Sequence, residues 1–321
     1  MENYPDGKQN KQKKVKEILE NYRKAGQISI KAKDLAGRVC KPGAKAIDIC
    51  ERIEALIRKE GALPAFPVNI SINHEAAHYS AEIHDGRIIP EKSIVKIDLG
   101  AQIDGYIVDT AKTFNFDPDL DELCNASFQA LDNALKIIKP GVKVSEVGKI
   151  VEETITKAGF EPIRNLSGHQ IKRNILHAGV SIPNTGPGYF ERITAKFQAG
   201  RIYAIEPFAS TGQGWVQNGK TTNIFRYLKD PKSKNLELAK IAKLVKERVG
   251  VLPFSPRHLY KPSSGKKGSE MVYQTIKKLL HAKVITGYPV LIEKSVTARV
   301  SQHEDTVRIT KDGYELLTRN Q

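Results

Sequence analysis

Asp98, Asp109, His169, Glu206 and Glu304 each sit in a short apolar, strand-like segment. A carboxylate in such a segment is costly to bury unless something positive meets it. Four carboxylates and one imidazole form a hard, oxygen-rich donor set, which suits two divalent cations such as Mn²⁺, Fe²⁺ or Co²⁺ sharing bridging carboxylates. Water held between two such ions becomes a nucleophile near neutral pH, so this residue set reads first as a metallohydrolase centre.

The first two ligands test that reading through their spacing. Two apolar runs, 93–102 and 106–114, flank Ile103-Asp104-Gly105, and Asp-Gly is a strong hairpin signal. With Asp104-Gly105 as a two-residue loop, Ile103 pairs with Tyr106, Asp98 with Ala111, and Asp109 lies opposite Gly100. Both aspartates then point to one face as diagonal neighbours, with Cα atoms roughly 7–8 Å apart, so one metal can sit between them. A one-residue slip would separate them.

A repeat organises the elements behind these strands. Lys41-Pro-Gly-Ala-Lys45, followed by Ile49, Ile53 and Ile57 at helical spacing and closed by Gly61, recurs 98 residues later as Lys139-Pro-Gly-Val-Lys143 with Val147, Val151, Ile155 and Gly159. The acidic pair Glu54 and Glu152 keeps the same offset. Downstream, Ile94-Val-Lys-Ile-Asp98 matches Ile202-Tyr-Ala-Ile-Glu206, so two ligands stand at equivalent ends of equivalent strands. The period is too long for stacked solenoid repeats. Two related α/β halves facing each other, with ligands from both, is the simpler reading.

A chain of 321 residues is compatible with one catalytic domain. No apolar run approaches the length of a membrane-spanning helix, and the polar N-terminus lacks the apolar core of a signal peptide. The three cysteines, Cys40, Cys50 and Cys124, show no CxxC spacing and suggest reduced thiols in a cytoplasmic protein. The net charge of +15 is uneven: residues 1–33 hold nine Lys/Arg against four Asp/Glu, and residues 229–283 hold fourteen against four. Such segregation suggests a face for a polyanion, against the plainer reading of solvated helix faces such as that opposite Val15, Ile18, Leu19 and Tyr22. Residues 229–292 read as a helical insert within a single domain spanning 1–321, because Leu236–Val249 and Met271–Ala282 have helical periodicity and prolines punctuate the chain between them.

Six ordered motifs then resemble the methionine aminopeptidases: residues 67–79 around His78, Ile97-Asp98-Leu-Gly-Ala, Val108-Asp109-Thr-Ala, Gly168-His169-Gln-Ile171, Ile205-Glu206-Pro-Phe and Gln302-His-Glu304-Asp-Thr. The helical span before the last motif makes the chain similar to the type 2 branch in its short, archaeal-like form. The resemblance implies the α/β pita-bread fold with an internal pseudo-twofold and two divalent metal ions, drawn from Co, Mn, Fe, Zn or Ni. It implies Asp98 on one ion, Asp109 and Glu304 bridging, and His169 and Glu206 on the other, with Glu206 also relaying the proton of the attacking water. His78 would contact the substrate amide nitrogen and His177 the scissile carbonyl, while Phe66, Leu176 and Tyr288 would line the methionine pocket. Expected partners are nascent polypeptide N-termini, and the ribosome through the basic segments 1–33 and 229–283; a monomer without membrane association is expected. The chain departs from the family in carrying His303 and Asp305 around Glu304. His74 is an extra imidazole near the pocket loop. Competing readings are an Xaa-Pro dipeptidase of the same fold and a non-enzymatic RNA- or ribosome-binding relative, in which ligands are commonly lost.

Overall fold

The structure, a computed structural model, describes residues 7–187, 194–231 and 236–320. The start of the first basic segment, and Lys232 and Lys234 of the second, lie outside the described residues.

The first half opens with helices α1 (Gly7–Val39) and α2 (Ala46–Lys59). In α2, Ile49, Cys50, Ile53 and Ile57 fall on one stripe and are buried, while Asp48 in the first turn and Arg58 and Lys59 in the last suit the helix dipole. These helices pack on an antiparallel sheet containing β1 (Asn69–Ile72), β2 (Ile94–Ile103) and β3 (Tyr106–Asn115). The hairpin has the expected register: Ile103 faces Tyr106, Asp98 faces Ala111 and Gly100 faces Asp109. Asp104 at φ 52° and Gly105 at φ 80° close it with two left-handed residues, the conformation a two-residue type I′ turn requires. A Cβ on Gly105 would also fall 2.1 Å from the Asn174 side chain. The stripe expected on α1 starts later than its sequence implies, since Val15 is half exposed and Tyr22 is its first fully buried member.

The second half repeats the plan with α3 (Asp121–Ile137), α4 (Val144–Lys157), β4 (Ser167–Ile171) and β5 (Ile202–Ile205). Helices α2 and α4 both span 14 residues, and Val147, Val151 and Ile155 are buried as Ile49, Ile53 and Ile57 are. Each half has its own apolar core, one around Ile53, Ile70, Ile97 and Val108, the other around Leu131, Val151, Tyr203 and Val307.

From β5 the chain runs through β6 (Val216–Tyr227), α5 (Leu236–Val249), one helical turn at Pro256–Leu259, α6 (Gly265–His281) and β7 (Ile285–Glu293). These elements share a third cluster that includes Phe225, Phe254, Ile276 and Leu279. The span 229–292 is therefore helical only as far as His281; from Ile285 it is strand, paired antiparallel with β6, and its β-branched Ile285, Thr286, Val290 and Ile292 favour that state. Strand β8 (Asp305–Ile309) returns to pair with β5 in a five-stranded sheet.

Candidate metal centre

Cross-strand register brings the ligands together. Asn69 faces Asp98, Asp98 faces Ala111, and Ala111 bridges to Glu304, so these residues form one row across four chain segments. Directly opposed residues share a sheet face, and Asp109, two residues from Ala111, shares it too. The second half repeats the device: His169 faces Ala204, and Glu206 follows two residues beyond Ala204. In both halves a small, buried alanine stands opposite a ligand and leaves room for it. Thr306 ties the halves, its hydroxyl accepting from Asp109 N at 2.8 Å and donating to Asp109 O at 2.6 Å.

The side chains converge accordingly. His169 Nε2 lies 3.4 Å from Asp109 Oδ2 and 3.5 Å from Glu206 Oε1, and ligand atoms of Asp109, His169 and Glu304 lie within 4.8 Å of one another. Asp109, His169 and Glu304 are buried, whereas Asp98 and Glu206 keep an edge open to a pocket. Burial, compounded by mutual charge repulsion, pushes the Asp98, Glu206 and Glu304 carboxyls well above their ordinary range, and burial raises Asp109 as well. Burial drives His169 the other way, to about 4, which keeps its imidazole neutral and able to coordinate. Asp98 Oδ1, Asp109 Oδ1, His169 Nδ1 and Glu304 Oε1 are buried without hydrogen-bond partners. Crowded acceptors of this kind, with no Lys or Arg among the described residues that line the pocket, fit divalent cations.

All ten residues assigned to the site from sequence, Phe66, His78, Asp98, Asp109, His169, Leu176, His177, Glu206, Tyr288 and Glu304, line this one pocket. Its walls also include Asn69, Phe208, Ile224 and Pro253, which sequence reasoning missed. Asn69 had a signal, being an amide inside the 67–79 motif that also carries His78; Ile224 and Pro253 are ordinary apolar residues placed there by long-range folding. The His78 ring meets Tyr288 edge-on at 5.5 Å, and the His177 ring meets His169 at 4.4 Å. Burial, then the neighbouring His177, lowers His78 to about 4; burial, then His169 and Arg226, lowers His177 to about 3.

The two departures beside Glu304 face away from this pocket, among its lining residues neither His303 nor Asp305 being found. His303 Nδ1 is 2.8 Å from Ser127 Oγ and its ring packs on Phe128. Asp305 is buried against Lys33 at 3.3 Å, Arg319 at 3.0 Å and the Thr318 hydroxyl. Its added acid is therefore paired. His74 lies in the turn after β1, with its carbonyl accepting from Glu293 N, and is likewise not among the pocket's lining residues.

The profile of metallopeptidase family M24 matches residues 20–311. The methionine aminopeptidase of Saccharolobus solfataricus is 43% identical over 300 residues, covering 92% of this chain and 96% of that one. A solved structure described as a thermophilic Arx1 superposes with a TM-score of 0.79 at 22% identity, over 94% of this chain and 90% of the other. A methionine aminopeptidase from Thermotoga maritima gives 0.66 at 23% identity, over 94% and 96%. At these identities the structural likeness speaks for the fold alone.

Proposed function

The chain belongs to metallopeptidase family M24, and from that premise we infer that this pita-bread α/β protein is a methionine aminopeptidase, a metal-dependent hydrolase that removes the N-terminal methionine from polypeptides whose second residue is small. The observation that carries this reading is the convergence of four carboxylates and a neutral imidazole, several of their atoms unpartnered, at the floor of a pocket with apolar walls. Asp98, Asp109, His169, Glu206 and Glu304 would hold the two divalent ions, Asp109 and Glu304 as the shared ligands. When bound, such ions lower the pKa of a coordinated water and polarise a carbonyl.

The remaining work falls to the chain's own groups. His78 Nδ1 lies 3.3 Å from the Pro289 carbonyl, which can only accept, so Nδ1 carries the proton and Nε2 presents a lone pair. A neutral His78 thus accepts from the substrate amide N–H. His177, also neutral, donates toward the scissile carbonyl as charge develops on its oxygen. Glu206 takes up the proton released during attack and passes it to the leaving amine. Phe66, Leu176 and Tyr288 enclose the methionine side chain. This reading predicts release of methionine from Met-Ala-Ser in Mn²⁺ or Co²⁺, with no comparable cleavage of Ala-Pro; the opposite preference, measured by chromatography of the products, would favour an Xaa-Pro dipeptidase.

Substrates are polypeptide N-termini, and the basic segments dock the enzyme at the ribosome where those termini emerge. Part of the first segment's charge is already matched, by the pairs Arg23–Glu315, Lys31–Glu60 and Lys33–Asp305. Lys240, Lys266, Lys267 and Lys277 of the second are exposed, and no helix among the described residues is long and apolar enough to cross a membrane. Reversing these four to Glu should weaken ribosome co-sedimentation and flatten its salt dependence, with free-peptide hydrolysis unchanged. Undiminished co-sedimentation would mean that this charge merely faces water.

A further inference from the structure

The β6/β7 ladder is broken beside the pocket. Thr222 pairs with Pro289 and Ile224 with Tyr288, so Asn223 is the extra residue of a bulge. Proline has no N–H to give a ladder, and a bulge re-aims the side chain of its extra residue. Asn223 is 1% exposed and does not line the pocket. Its amide turns instead onto the backbone of Ser80, with Oδ1 accepting from Ser80 N at 3.3 Å and Nδ2 donating to Ser80 O. One side chain thereby satisfies both main-chain groups of that residue, as a neighbouring strand would.

Two residues upstream, His78 has φ 68°. A non-glycine residue in that left-handed region is sterically strained and persists only where its surroundings over-determine it. The constraints are all at hand. Ile70 N donates to Tyr79 O at 2.6 Å, ahead of the Ser80 clasp. Arg257 donates to Ser80 Oγ at 3.0 Å and to Ala81 O at 2.7 Å. Pro289, opposite the bulge, supplies the carbonyl that meets the His78 ring. One irregularity in a strand pair thus provides both the ring's acceptor and the backbone clasp.

We propose that Asn223 is a positioning residue for His78: its clasp on Ser80 holds the His78 backbone left-handed and so aims the imidazole into the pocket. The proposal rests on the reading above in which His78 contacts the substrate. It is tested by a double-mutant cycle on Met-Ala-Ser hydrolysis, with Mn²⁺ binding measured in parallel. Asn223→Ala should lower kcat roughly 10- to 100-fold without changing Mn²⁺ stoichiometry, and should add less than about two-fold in a His78→Ala background, as expected when two residues act through one contact. The same loss in both backgrounds means a general structural role and overturns the proposal, as does near-full turnover in Asn223→Ala. Wild-type turnover in His78→Ala would instead remove the underlying reading. If Asn223→Ala does not fold, Asn223→Asp, which keeps the acceptor for Ser80 N and loses the donor, decides: reduced kcat that vanishes as a separate effect in His78→Ala supports the proposal, and unreduced kcat overturns it.

Discussion

Glu206→Gln is expected to lower turnover of Met-Ala-Ser by about 10²–10⁴-fold at saturating Mn²⁺, the usual cost of losing a positioned general base. The substitution keeps size and removes the charge that, in the proposed reading, both binds metal and carries the proton, so some metal affinity should go with it. The fold should be untouched. Glu206 follows the end of β5 and is only partly buried, and its carboxyl lies 3.5 Å from the neutral His169 ring. Steady-state rates across a Mn²⁺ series, with thermal unfolding alongside, separate the two effects. Activity within a few-fold of wild type would take the proton-relay role from Glu206.

Arg257→Ala should destabilise the protein by about 3–5 kcal/mol, the cost of stripping one partner from a buried ion pair. Arg257 and Glu54 are each only 4% exposed at the side chain and 2.9 Å apart, and His258 Nε2 is 2.9 Å from the same carboxylate. Burial opposes charge on Glu54, but Arg257 and His258 outweigh it and hold its carboxyl well below the ordinary range. A depressed carboxyl stabilises the fold fully above its unfolded value, about pH 4.3, and loses that contribution as pH falls toward the folded one. Urea unfolding near pH 7 should therefore show the full loss in Arg257→Ala. A loss under about 1 kcal/mol would show that the pair contributes little. Since Arg257 also donates to Ser80 and Ala81, the variant should lose turnover even where it remains folded.

Local chemistry made much of this molecule legible in its sequence. Asp104-Gly105 dictates a two-residue turn, the turn dictates register, and register alone puts Asp98 and Asp109 on one face. The apolar spacing at Ile49, Ile53, Ile57 and its copy at Val147, Val151, Ile155 exposed the two halves before any contact was known. Other features depend on partners far apart in the chain and have no local signature. Glu54 recurs as Glu152 in the repeat, yet nothing nearby says that Glu54 meets Arg257, 203 residues away, whereas Glu152 accepts from Gly186 N. The strand from Ile285 was hidden because a short apolar run following a helix has no periodicity of its own. Pro289 within it was a usable hint of a bulge, although the identity of the bulged residue, Asn223, was set by the opposite strand. Val15 shows the converse error, an apolar residue with good spacing that stays half exposed.

In the proposed reading, five side chains hold the metal ions while His78 and His177 serve the substrate. Titration calorimetry of Mn²⁺ into chelator-treated protein tests it most directly, comparing the wild type with His169→Ala, His78→Ala and His177→Ala. The expected result is about two ions for the wild type, weakened occupancy of one site in His169→Ala, and unchanged stoichiometry in the other two variants despite lower turnover. Equal metal loss in all three variants, or none in His169→Ala, would contradict it.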